Sequence, residues 1–181
     1  MAQVELLRAL LDGETAASES LGVVAASIGR AVQDRLPILV GGNGAALLGH
    51  AGAHADIIGL QGLGRTLDDG HRHDVRWTTE HLDRQLAQIR SGAGDRFDEL
   101  ELNALVQVVE ITTDADAAVT ALCEQIPTLD PTEVRELPYV LIGTVDEIID
   151  QIHRCRDRWG ITYFAVRTLD EFAPVIVAAN R

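Results

Sequence analysis

Length, composition and charge limit what this chain can do. Its 181 residues are enough to bury a core and favour one domain, 1–181, and a content of 46% hydrophobic and 24% charged residues is ordinary for a globular protein. The formal net charge of −13 argues against nucleic acid and anionic membranes as partners, because basic residues must neutralise the phosphates of both. All 15 basic residues are arginine, so no lysine is present to form a Schiff base or a P-loop.

The N-terminus and the lack of a long apolar stretch favour a cytoplasmic protein. The opening "MAQVELLRALLDGE" has no basic start and no cleavage site, and no apolar stretch approaches the length of a membrane span. Cys123 and Cys155 cannot make a disulfide framework and have no metal-ligand spacing. We expect both to be small, buried, apolar residues.

Strand-like and helix-like stretches alternate along the chain. About the first 35 residues are expected to be helical, because "VELLRALL" has apolar residues at helical spacing. The strands that follow are near-continuous apolar runs, which is typical of a parallel sheet covered by helices. Parallel strands, in sequential order in one sheet, are predicted near residues 37–41, 56–60, 101–111 and 161–166. Helices are predicted within 43–55, 78–94, 113–126, 144–160 and 169–179.

Capping residues support three of these helices. Thr78 or Thr79 is a plausible N-cap for the second helix of the set, and Thr113 or Asp114 for the third. Thr144 and Glu147 have the spacing of a capping box, and Gly160 is a plausible C-cap for the same helix.

Two architectures agree with this alternation: a small open doubly wound sheet, and part of a TIM (β/α)8 barrel. A complete barrel needs about 250 residues, so the chain would be about half of one. A third possibility is a small flavodoxin-like domain, which needs a fifth strand near residues 22–28, where the sequence is "GVVAASI".

Two strands end in glycine-rich turns. The first strand ends in "VGGNG" and the second runs into "GLQGLGR". Glycines at the carboxyl end of a parallel strand let a phosphate approach the backbone, and the following helix N-terminus attracts its charge. Arg65 is a candidate cation for the same phosphate, although an ordinary solvated loop arginine is an equally good interpretation.

Other candidate groups are weaker. The "HRHD" segment (71–74) lacks a third or fourth metal ligand, and the acidic residues of 93–102 have no neighbouring base or nucleophile. His50 and His54 lie on one side of a helix, where a packing role is more typical than a catalytic one. The sequence therefore predicts no metal site and identifies no catalytic acid or base.

Several segments resemble the luciferase-like monooxygenase superfamily, and more narrowly its coenzyme F420-dependent oxidoreductases. The segments are "PILVGGNGAALLGHAGAHADIIGL", "AGDRFDELELNALVQ", "LIGTVDEIIDQI" and "WGITYFAVRTLDEFAPVI", in order, and the resemblance as a whole runs from about residue 2 to residue 179. The resemblance implies a TIM barrel with coenzyme F420, or alternatively FMN, across the carboxyl ends of the strands. It matches only the last four βα units of that family, so the fold expected here is a partial barrel.

The resemblance also assigns the side of the site that holds the cofactor phosphate. The two loops that would hold it are formed by Val40, Gly41, Gly42 and Asn43 and by Leu60, Gln61 and Gly62, with Arg65 nearby. The family often has Thr or Ser at the positions of Leu60 and Gln61, so here backbone N–H groups or the Gln61 amide would contact the phosphate.

Two functions follow as hypotheses. The first is an oxidoreductase that transfers hydride, or with FMN inserts oxygen, on a small organic substrate. The second is a non-catalytic half-barrel that binds a phosphate ligand or pairs with a partner chain. Because an open half-barrel leaves two strand edges and an apolar inner face uncovered, we expect a homo-oligomer.

Overall fold

The structure is a computed structural model, and it describes residues 2–66, 68, 70 and 73–180. The helices of the described residues are α1 (Ala2–Leu11), α2 (Ala45–His54), α3 (Thr79–Ala93), α4 (Ala115–Gln125), α5 (Val145–Trp159) and α6 (Leu169–Ala179). The strands are β1 (Ala16–Ser18), β2 (Val23–Ala26), β3 (Leu39–Gly41), β4 (Ile57–Leu60), β5 (Leu63–Thr66), β6 (His73–Val75), β7 (Glu101–Leu105), β8 (Val108–Ile111), β9 (Val140–Gly143) and β10 (Ile161–Ala165). None of the helices in these residues is both long and apolar enough to cross a membrane.

Four strands form the central parallel sheet, in the spatial order β3, β4, β7, β10. Spatial order therefore follows chain order, which confirms the predicted βα succession. Helices connect the successive strands of this sheet, as they do in one half of a (β/α)8 barrel. Within the described residues, β3 and β10 are the two edges of this sheet.

The predicted strand over 101–111 is in fact two strands. The Val106 N–H still donates to Ala165 of β10, but the N–H groups of Gln107 and Val108 both donate to the Tyr139 carbonyl. The chain therefore leaves the central sheet at this point, and β8 pairs in parallel with β9 instead. The prediction missed β9, whose "VLIG" precedes the capping box of α5 directly.

The N-terminal prediction was wrong beyond the first helix. α1 ends at Leu11, and β1 and β2 then form an antiparallel hairpin with Glu19–Leu21 between them. Gly13 and Gly22 adopt φ values of 85° and 68°, which non-glycine residues rarely adopt and which end the helical path. Since β2 pairs with β1 and not with the parallel sheet, the flavodoxin-like alternative loses its fifth strand.

The caps predicted from sequence are present. Thr78 caps α3 and Asp114 caps α4, each accepting a hydrogen bond from a backbone N–H of the first turn. Thr144 and Glu147 form the capping box of α5, and Gly160 ends that helix at φ 73°. Local side-chain chemistry thus sets where these helices begin and end.

The outer face of the sheet holds the main core. Ile58, Leu60, Leu102 and Ala104 are almost fully buried there beneath the helices. Successive side chains of a strand point to opposite faces, so the intervening residues face the inner side. On that inner face lie Gly41, Gly59, Asn103 and Tyr163, which are neighbours in register across the four strands.

Glycines bring α2 and α3 into backbone contact. A Cβ on Gly92 of α3 would lie 1.9 Å from the carbonyl oxygen of Gly49 in α2. A Cβ on Gly52 would likewise lie 2.4 Å from the Ile89 carbonyl oxygen. This close packing fixes the two helices relative to each other and brings their N-termini to the same edge of the sheet.

Candidate functional site

The two glycine-rich turns meet at the carboxyl edge of the central sheet. Gly41 pairs with Gly59, and the Gly42 N–H donates to the Gly59 carbonyl at 3.3 Å. A Cβ on Gly41 would lie 3.3 Å from Nε2 of Gln61. The structure therefore places the first loop directly beside the second.

The side chains of the predicted loops do not all face a ligand. Val40 packs against the main core and Leu60 is fully buried in it, so both offer only backbone groups to the loops. A Cβ on Gly42 would lie 2.3 Å from Cδ2 of Leu47. A larger residue at position 42 would therefore displace the end of the Leu47 side chain.

Packing requires glycine at position 62. It adopts φ 65°, and a Cβ there would lie within 3 Å of the rings of both Trp77 and Tyr139. These rings stack at 6.2 Å between centroids and are almost fully buried. The Gly62 carbonyl accepts a hydrogen bond from the Arg76 N–H, which fixes the second loop against the segment leading into α3.

An open pocket of about 370 Å³ lies beside these turns. Its lining residues come from the start of α2, from β5 and from the start of α3: Asn43, Gly44, Leu63, Gly64, Arg76 and His81. Gly44 is the N-cap of α2, and His81 is in the first turn of α3. Arg65 belongs to β5, and its side chain lies outside the described part of the structure.

The pocket is suited to an anion. The first N–H groups of a helix have no partner within the helix, and the N-terminal end carries a partial positive charge. Here α2 and α3 both begin at one pocket. Arg76 precedes α3 by three residues, and it is one of the residues that line this pocket. Arg76 pairs with Asp74 through Nε at 3.2 Å, an interaction that does not need its two terminal nitrogens.

Buried polar groups hold the pocket in shape. Gln85, one helical turn beyond His81 and 2% exposed, donates from Nε2 to Oδ1 of Asn43 at 3.2 Å. This contact orients the Asn43 amide so that its Nδ2 is the group left as a donor. Among the described residues, Oε1 of Gln85 and Nε2 of His81 are buried without a hydrogen-bond partner.

The surroundings of His81 favour the neutral form of its imidazole. Burial lowers the pKa of its imidazole from 6.5, and the nearby charges of Arg84 and Arg76 lower it further, against a smaller opposing effect of Glu80. A neutral imidazole has one donor and one acceptor nitrogen. An anion in the pocket would favour the protonated form and give the ring a second donor.

Arg76 and His81 are not among the residues that the sequence predicts for this site. The available signal was "RWTTEH", in which an arginine precedes the N-cap by two residues and a histidine follows it by three. Both positions belong to the start of a helix, where anions bind. Their approach to Asn43 is a tertiary contact and is not encoded in that local pattern.

Cys155 and the acidic segment 94–99 behave as structural groups. Cys155 is fully buried, and burial raises the pKa of its thiol to about 12, which makes it unreactive near neutral pH. Of "HRHD", positions 71 and 72 lie outside the described residues. The acidic segment 94–99 is a 3₁₀ helix that leads into β7, as expected for a charged helix end.

No family model and no curated protein matches this sequence. Solved structures do match. The coenzyme F420-dependent tetrahydromethanopterin reductase from Methanopyrus kandleri aligns over 96% of this chain and 59% of its own, with 17% identity and a TM-score of 0.64. The monooxygenase RslO1 from Streptomyces bottropensis aligns over 98% of this chain and 60% of its own, with 16% identity and a TM-score of 0.61.

An F420-dependent secondary alcohol dehydrogenase, solved with an F420–acetone adduct, is also similar. It aligns over 98% of this chain and 60% of its own, with 18% identity and a TM-score of 0.58. The chain thus has a partial luciferase-like barrel fold and spans about 60% of the length of these structures. At such identities the similarity shows the fold alone.

Proposed function

We propose that this chain forms the phosphate-binding side of a deazaflavin- or flavin-dependent oxidoreductase. The observation that carries the proposal is the pocket at the carboxyl edge of the sheet, where the starts of α2 and α3 converge with Arg76. Ligands of parallel α/β barrels bind at this edge. The similar solved proteins include F420-dependent enzymes and a monooxygenase, which supports the cofactor class.

The residues present fit a phosphate group. Asn43 supplies an oriented amide, Arg76 a guanidinium, and the helix N-termini supply backbone N–H groups. Coenzyme F420 is the first choice of cofactor and FMN the alternative. When bound, such a cofactor supplies the redox chemistry, hydride transfer or oxygen activation.

In this proposal the chain's own residues bind and orient rather than react. Gln85 fixes Asn43, the Gly62–Trp77 contact fixes the second loop, and Arg76 neutralises phosphate charge. The proposed substrate is a small organic molecule that would bind next to the cofactor, with no nucleic acid or membrane involved.

The test is a titration of the purified chain with coenzyme F420 and with FMN, followed by fluorescence. Replacing Arg76 by Gln removes one charge-assisted contact, worth about 1.5–3 kcal/mol, so we expect binding to weaken at least tenfold. Arg156→Gln is the matched control, because Arg156 is a similarly exposed arginine on α5 that pairs with Asp157 and does not line the pocket. Equal affinities for wild type and Arg76→Gln would place the phosphate elsewhere.

A non-catalytic half-barrel is the second candidate. It is favoured by the inner face of the sheet, where Leu39 is 48% and Tyr163 41% exposed. Large apolar side chains exposed on one sheet face indicate a surface that another chain covers. Binding of inorganic pyrophosphate without binding of either cofactor would support this candidate over the oxidoreductase.

A further inference from the structure

Three potential metal ligands converge at the opposite edge of the sheet from the phosphate pocket. His50 and His54 project from consecutive turns of α2, and Glu5 projects toward them from α1. One ligand atom from each of the three lies within 4.8 Å of the other two. Nε2 of His54 is 3.6 Å from Oε1 of Glu5, and the two imidazole centroids are 4.3 Å apart.

The 3.6 Å distance between Nε2 of His54 and Oε1 of Glu5 is close to that between two ligands of one metal ion, and the His50 ligand atom lies within 4.8 Å of both. Ligand atoms bound to Zn²⁺ at about 2.0–2.2 Å in a tetrahedron lie about 3.4 Å from one another. A histidine pair at i and i+4 is held on one helix face before any ion arrives, which lowers the ordering needed on binding. On binding, the three side chains would have to close the remaining distance between their ligand atoms.

A packing role does not account for the whole cluster. Nε2 of His50 is buried without a hydrogen-bond partner among the described residues. A buried polar atom of this kind costs stability unless something satisfies it. The Glu5–His54 contact gives a partner to only one of the two imidazoles.

We propose that Glu5, His50 and His54 bind one divalent transition-metal ion such as Zn²⁺. Two imidazole nitrogens and one carboxylate oxygen suit a borderline ion, whereas Ca²⁺ and Mg²⁺ require mostly oxygen ligands. An open pocket of about 270 Å³ lies next to the cluster and is lined by both Glu5 and His54. It gives water access to the fourth coordination position.

The ion would attach α1 to the body of the protein. None of the ten residues of α1 is fully buried, although several of its apolar residues are half-buried, so its attachment to the rest of the protein is incomplete. It is held partly by Arg8, which pairs with Asp56 and donates to the Leu36 carbonyl. A metal bridge from Glu5 to α2 would add a second fixed point.

The proposed metal site is separate from the pocket proposed to bind the cofactor. α2 begins at the phosphate pocket and ends at His54, and its ten residues span about 15 Å. The proposed ion is therefore a structural element, and its presence does not depend on whether a cofactor binds.

The experiment uses the full chain without a polyhistidine tag, freed of metal with a chelator. Calorimetric titration with Zn²⁺ should give one equivalent with micromolar affinity or better, and Co²⁺ should give the intense visible absorption of a tetrahedral site. His54→Ala and Glu5→Gln should each weaken binding at least tenfold. The side chain of His54 is 41% exposed, so its loss does not threaten the fold.

His153→Ala is the matched control, since His153 is an exposed histidine on α5. We expect it to bind Zn²⁺ like the wild type. A second readout is proteolysis after α1, which Zn²⁺ should slow in the wild type and not in His54→Ala. The proposal is overturned if no saturable binding occurs below about 100 µM, or if the His54→Ala and His153→Ala variants bind equally well.

Discussion

The two faces of the central sheet differ in how completely they are covered. On the outer face, α2 and α3 pack so closely that glycine is required at their contact, and the strand side chains beneath are almost fully buried. On the inner face, large apolar side chains such as Leu39 and Tyr163 are over 40% exposed. The free energy of unfolding should therefore depend mainly on residues of the outer face. Association with another chain should depend mainly on residues of the inner face.

The largest effect is expected at the α2–α3 contact. Gly92→Ala places a Cβ against the backbone of Gly49, and rigid backbone cannot move aside as a flexible side chain can. We expect a loss of about 3 kcal/mol in the free energy of unfolding, measured by urea denaturation.

Whether Gly92→Ala raises or lowers the free energy of unfolding is informative. Helix propensity alone would make alanine more stabilising than glycine by about 1 kcal/mol in the interior of a helix. Ser91→Ala, at the adjacent exposed position, is the control and should change stability little. A stabilised Gly92→Ala variant would show that the two helices are not in backbone contact.

The second prediction compares the two faces directly. Leu60→Ala on the outer face removes a fully buried side chain and should cost about 2–5 kcal/mol of unfolding free energy. Leu39→Ser on the inner face should leave the stability of the monomer within about 0.5 kcal/mol.

The same pair tests the proposed homo-oligomer. If a second copy covers the inner face, light scattering should show an oligomer in the wild type and a larger monomer fraction in Leu39→Ser. A wild-type chain that is monomeric at high micromolar concentration would contradict the proposed oligomer.

The smallest effect concerns the pH dependence of stability that is due to His81, which lies at the carboxyl edge of the sheet. Because the pKa of His81 is lowered in the folded state, the folded protein binds fewer protons than the unfolded chain in the window below 6.5. The contribution of His81 to stability is therefore complete above pH 6.5 and decreases as pH falls from 6.5 toward the lower folded pKa.

The measurement is the difference in urea midpoint between pH 7.5 and pH 5 for the wild type and His81→Gln. We expect the wild type to lose more stability than the variant over this interval. Identical pH dependence in the two proteins would show that the imidazole is as well solvated in the folded state as in the unfolded chain.

Much of the fold was predictable because it follows from local pattern. The apolar runs that became β3, β4, β7 and β10 are short and continuous, and helical stretches separate them, so their order in the sheet follows from their order in the chain. The caps at Thr78, Asp114 and Thr144 depend on side chains within three residues of the helix start.

The failures came where a tertiary contact overrides such a pattern. The 101–111 run has no local break, and it divides only because the Tyr139 carbonyl captures two successive N–H groups. The segment after α1 contains residues compatible with a helix, yet it forms the β1–β2 hairpin once the glycines allow the chain to turn.

For the candidate sites, the sequence by itself determined that two glycine-rich turns lie at one sheet edge and that two histidines share a helix face. Only the tertiary structure determined which distant residues lie beside these turns and beside these histidines. Arg76 and His81 reach the turns because the α2–α3 contact aligns two helix starts, and Glu5 reaches the histidines from a helix more than 40 residues earlier in the chain. Contacts at such separation depend on how the elements pack, and no spacing along the chain encodes them.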